Sequence, residues 1–386
     1  MKKKLFGISM LIVYITGGCT QTQATNPVIE TSTRQIVQTS TVIHSTPTSV
    51  EYTQDTNLIQ PYQDVRNRNL ALLGQKFDKS LILTLRFNTF TKWPEESSAL
   101  AESILQAGMN PGLGVRALHA EGITGQGVSV AIIDQNLFLD HPEFDGKIIK
   151  YNDMVQLDTQ TASMHGPAVT SLFVGENVGT APGAKVYYVT AASWTKDAQS
   201  YADALNWIID ENETLPSDQK IRVVSVSIIA TGRGNAFTEN LALWQEAYQR
   251  ANDAGILVVD CSTDVGIVAP CTLDVDRPDD ITQCVPGWPD AVNYQPDPTL
   301  IHVPVSHRTF AAENLAGINY YQYFGVGGIS WSAPYLSGVL AMGWQVNPDL
   351  TYEQMLDILF SSAYINEDGA KIINPPAFID AVKATL

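Results

Sequence analysis

The strongest constraint on the fold is a six-residue run, Val128 to Ile133 (V-S-V-A-I-I), that is almost unbroken in apolar character and stops on a carboxylate, Asp134. A strand that reads apolar on both faces must be covered on both faces, which points to a parallel sheet between two helical layers. The segments that follow keep the alternation this requires. Lys185 to Thr190 reads as a strand, Ala202 to Asp210 as a helix, Ile221 to Ile229 as a strand, Glu239 to Ala254 as a helix ended by Gly255, and Ile256 to Val259 as a strand. Residues 300 to 310 suggest one more strand, and helices are expected after Ser330, near Tyr352 to Phe360 and near Pro376 to Ala384. The fold class is therefore α/β, a doubly wound and mostly parallel sheet with helices on both faces. Sites in such folds lie at the carboxyl ends of the strands, where Asp134 falls.

Two further stretches carry chemistry. His165 opens a helical pattern (H-G-P-A-V-T-S-L-F-V), and Gly325 to Gly338 (G-V-G-G-I-S-W-S-A-P-Y-L-S-G) is a small-residue turn that delivers Ser330 to the start of a helix. Glycines expose the hydroxyl and let a substrate backbone approach, and a helix N-terminus favours developing negative charge. Taken alone, Ser330 reads as a helix cap, Asp134 as a strand-end acid and His165 as a capping histidine. Together they are what nucleophilic acyl transfer needs: a hydroxyl to attack, an imidazole to take its proton, and a carboxylate to fix the imidazole tautomer. Their order along the chain, Asp then His then Ser, is that of subtilisin and not that of chymotrypsin or the α/β-hydrolases.

From about Gly114 onward the sequence resembles the subtilisin-like serine protease family. Val130 to Pro142 (V-A-I-I-D-Q-N-L-F-L-D-H-P) resembles the family's Asp motif. His165 to Thr170 is similar to its His segment, Gly179 to Ala184 to the turn that follows, and Val224 to Ser227 to the strand that pairs with substrate backbone. Gly328 to Pro334 is similar to the Ser motif. The resemblance implies a serine endopeptidase in which Asp134 is the triad acid, His165 the general base and Ser330 the nucleophile. Ser225, Ser227 and Gly328 would contact the substrate. Calcium sites are common in the family, but no acidic cluster here forms a specific motif, so neither metal nor other cofactor is assigned.

The pattern also departs from the family. The asparagine that donates to the oxyanion aligns with Asp264, in I-L-V-V-D-C-S-T-D-V-G, with Thr263 or Ser262 as alternative hydroxyl donors. An ionised carboxylate there would repel the oxyanion; loss of this donor lowers kcat by roughly 10² to 10³ in subtilisin itself. Pro167 and Ala168 replace the usual threonine and second histidine, Ile229 and Ala230 replace glycines, and Ile329 and Trp331 flank Ser330. A catalytically weak or inactive pseudoprotease that binds peptides, and a non-peptide acyl hydrolase, are the alternatives these changes leave open.

The amino-terminal region reads as processing and tether. Lys2 to Lys4 precede an apolar run, Leu5 to Ile15, of roughly 11 residues, too short to span a bilayer and suited to a signal peptide over residues 1–18. It ends in Thr16-Gly17-Gly18-Cys19, which resembles the lipobox of bacterial lipoproteins, although Thr16 stands where an aliphatic residue is usual. Cys19 is then the lipid attachment, and the protein is expected at the outer face of a bacterial cell membrane, in contact with the membrane only through that lipid. Residues 19–62, rich in Thr, Ser and Gln, are expected to be a disordered tether. Residues 63–110 form an N-terminal extension, with a strand over Leu81 to Phe87 and a helix over Ser97 to Gly108, and residues 111–386 form the catalytic domain.

The formal net charge of −17 argues against nucleic acid and anionic lipid surfaces as partners; the expected partner is a protein or peptide substrate, and the oligomeric state is open. Of the remaining cysteines, Cys271 and Cys284 flank a Pro- and Asp-rich loop and are the disulfide candidate, whereas Cys261, in an apolar strand, reads as a buried thiol. His119 and His141 read as structural, and His302 and His307 lie in a strand region without a motif.

Overall fold

Strand β2 (Ser129–Asp134) has every residue buried and lies in the middle of a five-stranded sheet. Preceding it along the chain are α1 (Lys79–Thr84), β1 (Arg86–Asn88), α2 (Glu95–Ala107) and α3 (Val115–Ala120). After it come β3 (Ile148–Asn152), α4 (His165–Val174), β4 (Lys185–Thr190), α5 (Gln199–Thr214), β5 (Ile221–Val226), α6 (Leu241–Asp253) and β6 (Leu257–Asp260). The sheet order is β3-β4-β2-β5-β6, and every neighbouring pair is parallel. The computed structural model describes residues 53–54, 57–156, 163–313 and 318–386. Cys19, the signal segment and His44 lie outside the described residues.

Side-chain alternation divides the sheet between two cores. Val130 and Ile132 of β2, Val223 of β5 and Val259 of β6 face one side, where they pack with α4 and with the later helices α7 (Ser332–Val346), α8 (Tyr352–Ser361) and α9 (Pro375–Lys383). Ala131 and Ile133, Val224 and Val226, and Val258 face the other side, covered by α5 and α6. The period of two therefore sends Asp134 and Ser225 toward the α4 and α7 face.

Beyond β6 come β7 (Val268–Thr272), β8 (Val285–Pro286), β9 (Ile301–Pro304), β10 (Arg308–Ala312) and β11 (Tyr320–Phe324). β7 pairs with β8 and β9 in a second sheet, and β10 and β11 form an antiparallel pair to which β1 adds a third strand. The single strand expected over residues 300 to 310 is thus two, broken at His307, whose φ of +56° turns the chain.

The strand expected over Leu81 to Phe87 is mostly helix. Asp78 caps α1 by accepting from the Leu81 N–H at 3.0 Å, and only Arg86 to Asn88 remain extended, against β11. Nor does the ordered extension begin at residue 63. Ile59 is buried with Val65, Leu70, Phe77, Ile82 and Leu105 in an apolar cluster that includes Tyr323 of β11. Its backbone exchanges two hydrogen bonds with the Gln75 side chain, each at 2.7 Å.

Candidate active site

β2 ends on Asp134, which is 2% exposed, and α4 begins on His165 beside it. His165 Nδ1 donates to Asp134 Oδ1 at 2.7 Å, and the same oxygen accepts from the Gln135 N–H at 2.8 Å. The first bond fixes the tautomer with the proton on Nδ1 and leaves Nε2 as the basic nitrogen. Burial is the largest influence on the imidazole and pulls its pKa down. The Asp134 charge and hydrogen bond together outweigh it, so the pKa stands above the ordinary 6.5. Gly166 makes this approach of helix to strand feasible, since a Cβ there would lie 2.5 Å from the Gln135 carbonyl. The loop is further tied by Gln135 Nε2 donating to Ser193 Oγ at 2.7 Å.

Ser330 sits in the single 3-10 turn Ile329–Trp331 that leads into α7. The turn depends on Gly327, whose φ is +77° and where a Cβ would meet the Val305 carbonyl at 1.7 Å; no other residue fits. Gly328 follows in extended backbone and donates to that carbonyl at 3.3 Å. Ser330 Oγ does not bond to His165; it donates to the Ser227 carbonyl at 3.2 Å, while Ser227 Oγ donates to the Ser330 carbonyl at 2.9 Å. Ser225 is buried and its hydroxyl has no partner.

Trp331, 3% exposed, closes the serine turn and packs against the imidazole. Its ring centroid is 5.8 Å from that of His165 and 4.9 Å from that of Phe310, its indole edge lies near Gly328, and its buried N–H has no acceptor. Cys261 is fully buried behind the turn, its thiol directed at the Ile329 carbonyl at 3.5 Å; burial raises its pKa strongly, which keeps it protonated and inert.

Asp264 is exposed and turned aside. Its Oδ2 accepts from the backbone N–H of Arg233 at 2.8 Å, and half-buried Thr263 precedes it. Cys271 and Cys284 are both buried thiols, with their sulfurs 2.7 Å apart.

One participant escaped sequence reading. Glu313, just beyond β10, is fully buried; its Oε1 accepts from the Phe138 N–H at 2.7 Å and its Oε2 has no partner. It braces the loop after Asp134, and burial pushes its pKa up to about 9. No motif marked it, because its role depends on a contact across 175 residues.

Among the described residues, no group of three or more His, Cys, Asp or Glu could hold a metal ion, and no helix is long and apolar enough to cross a membrane. A cleft of about 560 Å³ opens at the amino end of β5, between Ile221, Trp344 and Tyr352, away from the carboxyl-end residues described above.

Residues 125–288 match the model of the subtilase family, a stretch that contains Asp134 and His165 and stops short of Ser330. The chain is 23% identical over 292 residues to the subtilisin-like protease PopC of Myxococcus xanthus, covering 65% of this chain and 58% of that one. It is 24% identical over 289 residues to the serine protease AprX of Bacillus subtilis, covering 62% of each. The chain thus spans about three-fifths of the length of these curated relatives. Among solved structures, the subtilase cytotoxin SubAB assembly superposes with a TM-score of 0.54 at 16% identity, over 71% of this chain and 96% of that one. A protease from Pseudoalteromonas arctica superposes with a TM-score of 0.51 at 17% identity, over 71% and 94%. The fold is therefore the α/β arrangement of the subtilisin-like proteins.

Proposed function

We propose that this chain is a subtilase-type serine endopeptidase that cleaves peptide bonds through an acyl-enzyme on Ser330. The observation that carries the reading is the 2.7 Å bond from His165 Nδ1 to Asp134 Oδ1, made at the end of the sheet where the glycine turn delivers Ser330. In the acylation step the Ser330 hydroxyl proton passes to His165 Nε2 as Oγ bonds to the substrate carbonyl carbon. Collapse of the tetrahedral adduct breaks the C–N bond, and His165 returns the proton to the leaving amine. Water then repeats the sequence on the ester and frees Ser330. The Asp134 carboxylate stabilises the imidazolium. The Ser330 backbone N–H is the oxyanion donor on this reading, and the Asp264 side chain, engaged by the Arg233 N–H, does not assist it.

Fluorophosphonate labelling that disappears in Ser330→Ala is the expected result; a folded protein that takes up no probe would sink the proposal. A second reading, a pseudoprotease that binds peptides without cleaving them, draws on the Ser330 hydroxyl being bonded to Ser227 and not to His165. The same labelling separates the two.

The lipobox-like Thr16 to Cys19 and the charge of −17 support an exported protein held at the outer face of a bacterial membrane by a lipid on Cys19, acting on protein or peptide and not on nucleic acid. Incorporation of labelled palmitate in the wild type and its loss in Cys19→Ala tests the anchor.

A further inference from the structure

The turn that delivers Ser330 is supported from two directions. On one side, Gly327 is seated against the Val305 carbonyl, and Ser306 Oγ donates to the Val326 carbonyl at 2.8 Å. On the other stand Leu83 and Leu85, from far upstream in the chain. The Gly325 N–H donates to the Leu85 carbonyl at 3.0 Å and the Gly325 carbonyl accepts from the His307 N–H at 3.0 Å, so both of its backbone polar groups are held. A Cβ on Gly325 would lie 2.0 Å from the Leu83 oxygen, an approach that only glycine permits. Four residues, Val326 to Ile329, separate this clamp from Ser330.

The grip extends along the hairpin that leads into the turn. β1 pairs with β11 through Asn88 and Gln322, Phe87 and Tyr323, and Arg86 and Phe324, and the Tyr323 hydroxyl donates to the Leu83 carbonyl at 3.2 Å. β10 is held as well: the Thr309 hydroxyl donates to the Leu105 carbonyl at 2.7 Å, and the Thr309 N–H to the Gly108 carbonyl at 2.9 Å. Tyr323 also completes the apolar cluster of Val65, Leu70, Ile82 and Phe87. A stretch this short buries too little surface to hold its shape alone, so it and the hairpin support one another.

We infer that residues 57–110 are a positioning element for the nucleophile: Leu83 and Leu85 fix Gly325 and, through it, the placement of Ser330 Oγ relative to His165. This rests on the hydrolase reading above. A segment that masked the site would have to touch Asp134, His165 or Ser330, whereas the bonds by which this one grips the hairpin end on Thr309, Tyr323 and Gly325. The stretch therefore belongs to the working enzyme, and the form that reacts is the one that retains it.

The test uses the full chain and a fluorophosphonate. The intact mass of the labelled protein is expected to include residues 57–110; a reactive population that begins beyond residue 110 overturns the inference. Gly325→Ala drives a Cβ into the Leu83 carbonyl, and labelling of the folded variant should be roughly tenfold to a hundredfold slower, the scale of a misplacement of about 1 Å. Its acid-side pH midpoint should stay at the wild-type value, because the Asp134–His165 bond lies off this seam. Leu70→Ala weakens the same cluster without removing a bond to the hairpin, so it should lower the thermal midpoint and leave the labelling rate of folded protein unchanged. If Gly325→Ala does not fold, Tyr323→Phe, which removes only the hydroxyl bonded to Leu83, carries the test with labelling roughly fivefold slower, the size of one net hydrogen bond. Wild-type rates in the folded variants overturn the inference and leave the hydrolase reading standing. Folded wild type that takes up no probe overturns the hydrolase reading, and this inference with it.

Discussion

The Asp264 carboxylate and the backbone of Arg233 are joined at 2.8 Å across 31 residues, and the joint leaves no room for anything but glycine at position 232. A Cβ on Gly232 would lie 2.1 Å from Asp264 Oδ1, and its φ is +73°. The side chain aligned with a subtilisin-like oxyanion donor therefore works here as an acceptor that holds a turn.

Asp264→Asn keeps an acceptor for the Arg233 N–H, so the amide stays where the carboxylate was. We expect kcat/KM on a peptide substrate to change by less than about threefold, well short of the roughly 10² to 10³ that an engaged oxyanion donor is worth. A tenfold or greater rise would show that the side chain swings to the nucleophile. Gly232→Ala should cost about 1 to 3 kcal/mol from backbone strain and the clash. The loss should be smaller in the Asp264→Ala background, which removes the clashing oxygen, and a double-mutant cycle by urea unfolding measures the coupling.

Trp331 contributes a large ring and an unpaired N–H, and the two can be separated. Trp331→Phe keeps an aromatic face against His165 and Phe310 while deleting the buried donor, whose missing partner costs about 1 to 3 kcal/mol. The Phe variant should be as stable as the wild type to within about 1 kcal/mol, because the smaller ring offsets that gain with a void. Trp331→Ala should lose about 3 to 5 kcal/mol. Denaturant midpoints check both, and a Phe variant as unstable as the Ala variant would assign the indole N–H a partner in solution.

On the proposed hydrolase reading, the Asp134–His165 bond should set the acid limb of activity. Because the His165 pKa is raised above 6.5, the acid-side midpoint of kcat/KM should lie above 6.5. In Asp134→Asn the raising influences vanish and burial remains, so the midpoint moves below 6.5, with a rate loss of up to about 10⁴ as in other triads. The stability sign runs with it. A raised folded-state pKa contributes stability that is complete below 6.5 and is lost as pH rises through the folded value. Phosphonate labelling rates and thermal midpoints across that window read both.

The layers of the fold were legible because β2, β4 and β5 are apolar on both faces, a pattern that only a covered parallel sheet accommodates. Asp134, His165 and Ser330 stood out because each terminates or opens such an element. Leu81 to Phe87 was misleading because L-I-L-T-L suits a strand as well as one helical turn, and the deciding cap, Asp78, lies three residues upstream of Leu81. The posture of Asp264 and the bracing by Glu313 were hidden for a different reason. Each is decided by a partner 31 or 175 residues away, which no local pattern encodes. The division of residues 301–312 into two strands likewise turns on one left-handed residue, His307, with its N–H on the Gly325 carbonyl.

Cys271 lies in β7 and Cys284 immediately before its antiparallel partner β8, with sulfurs 2.7 Å apart, so oxidation requires little backbone movement. Protein purified from an oxidising compartment should carry the disulfide, as a mass 2 Da lower per chain than after reduction (two hydrogens removed in forming the bond). Cys271→Ser should leave a single unreactive thiol at Cys284 and lower the thermal midpoint only in the oxidised comparison. Retention of both thiols after exposure to a disulfide oxidant would exclude the pairing.

Glu313 makes the widest-reaching prediction, because it joins a titration to the placement of Asp134. The groups facing it are Asp140, on the loop it braces, and the Tyr151 and Tyr320 hydroxyl-bearing rings, so among the described residues no cation offsets its charge. With its pKa pushed up to about 9 it is protonated at neutral pH, and its Oε1 serves the Phe138 N–H without a buried negative charge. A folded-state pKa raised above the ordinary 4.5 contributes stability that is complete below 4.5 and declines as pH climbs toward 9. Glu313→Gln retains the carbonyl acceptor and cannot ionise. It should match the wild type near pH 5 and exceed it in thermal midpoint by several degrees near pH 9. Phosphonate labelling of Ser330 at high pH should persist in the Gln variant and fade in the wild type as the loop after Asp134 loosens. Parallel stability profiles for the two proteins from pH 5 to 9 would place the ionisation of Glu313 in the ordinary carboxylate range and remove the brace from the account of alkaline loss.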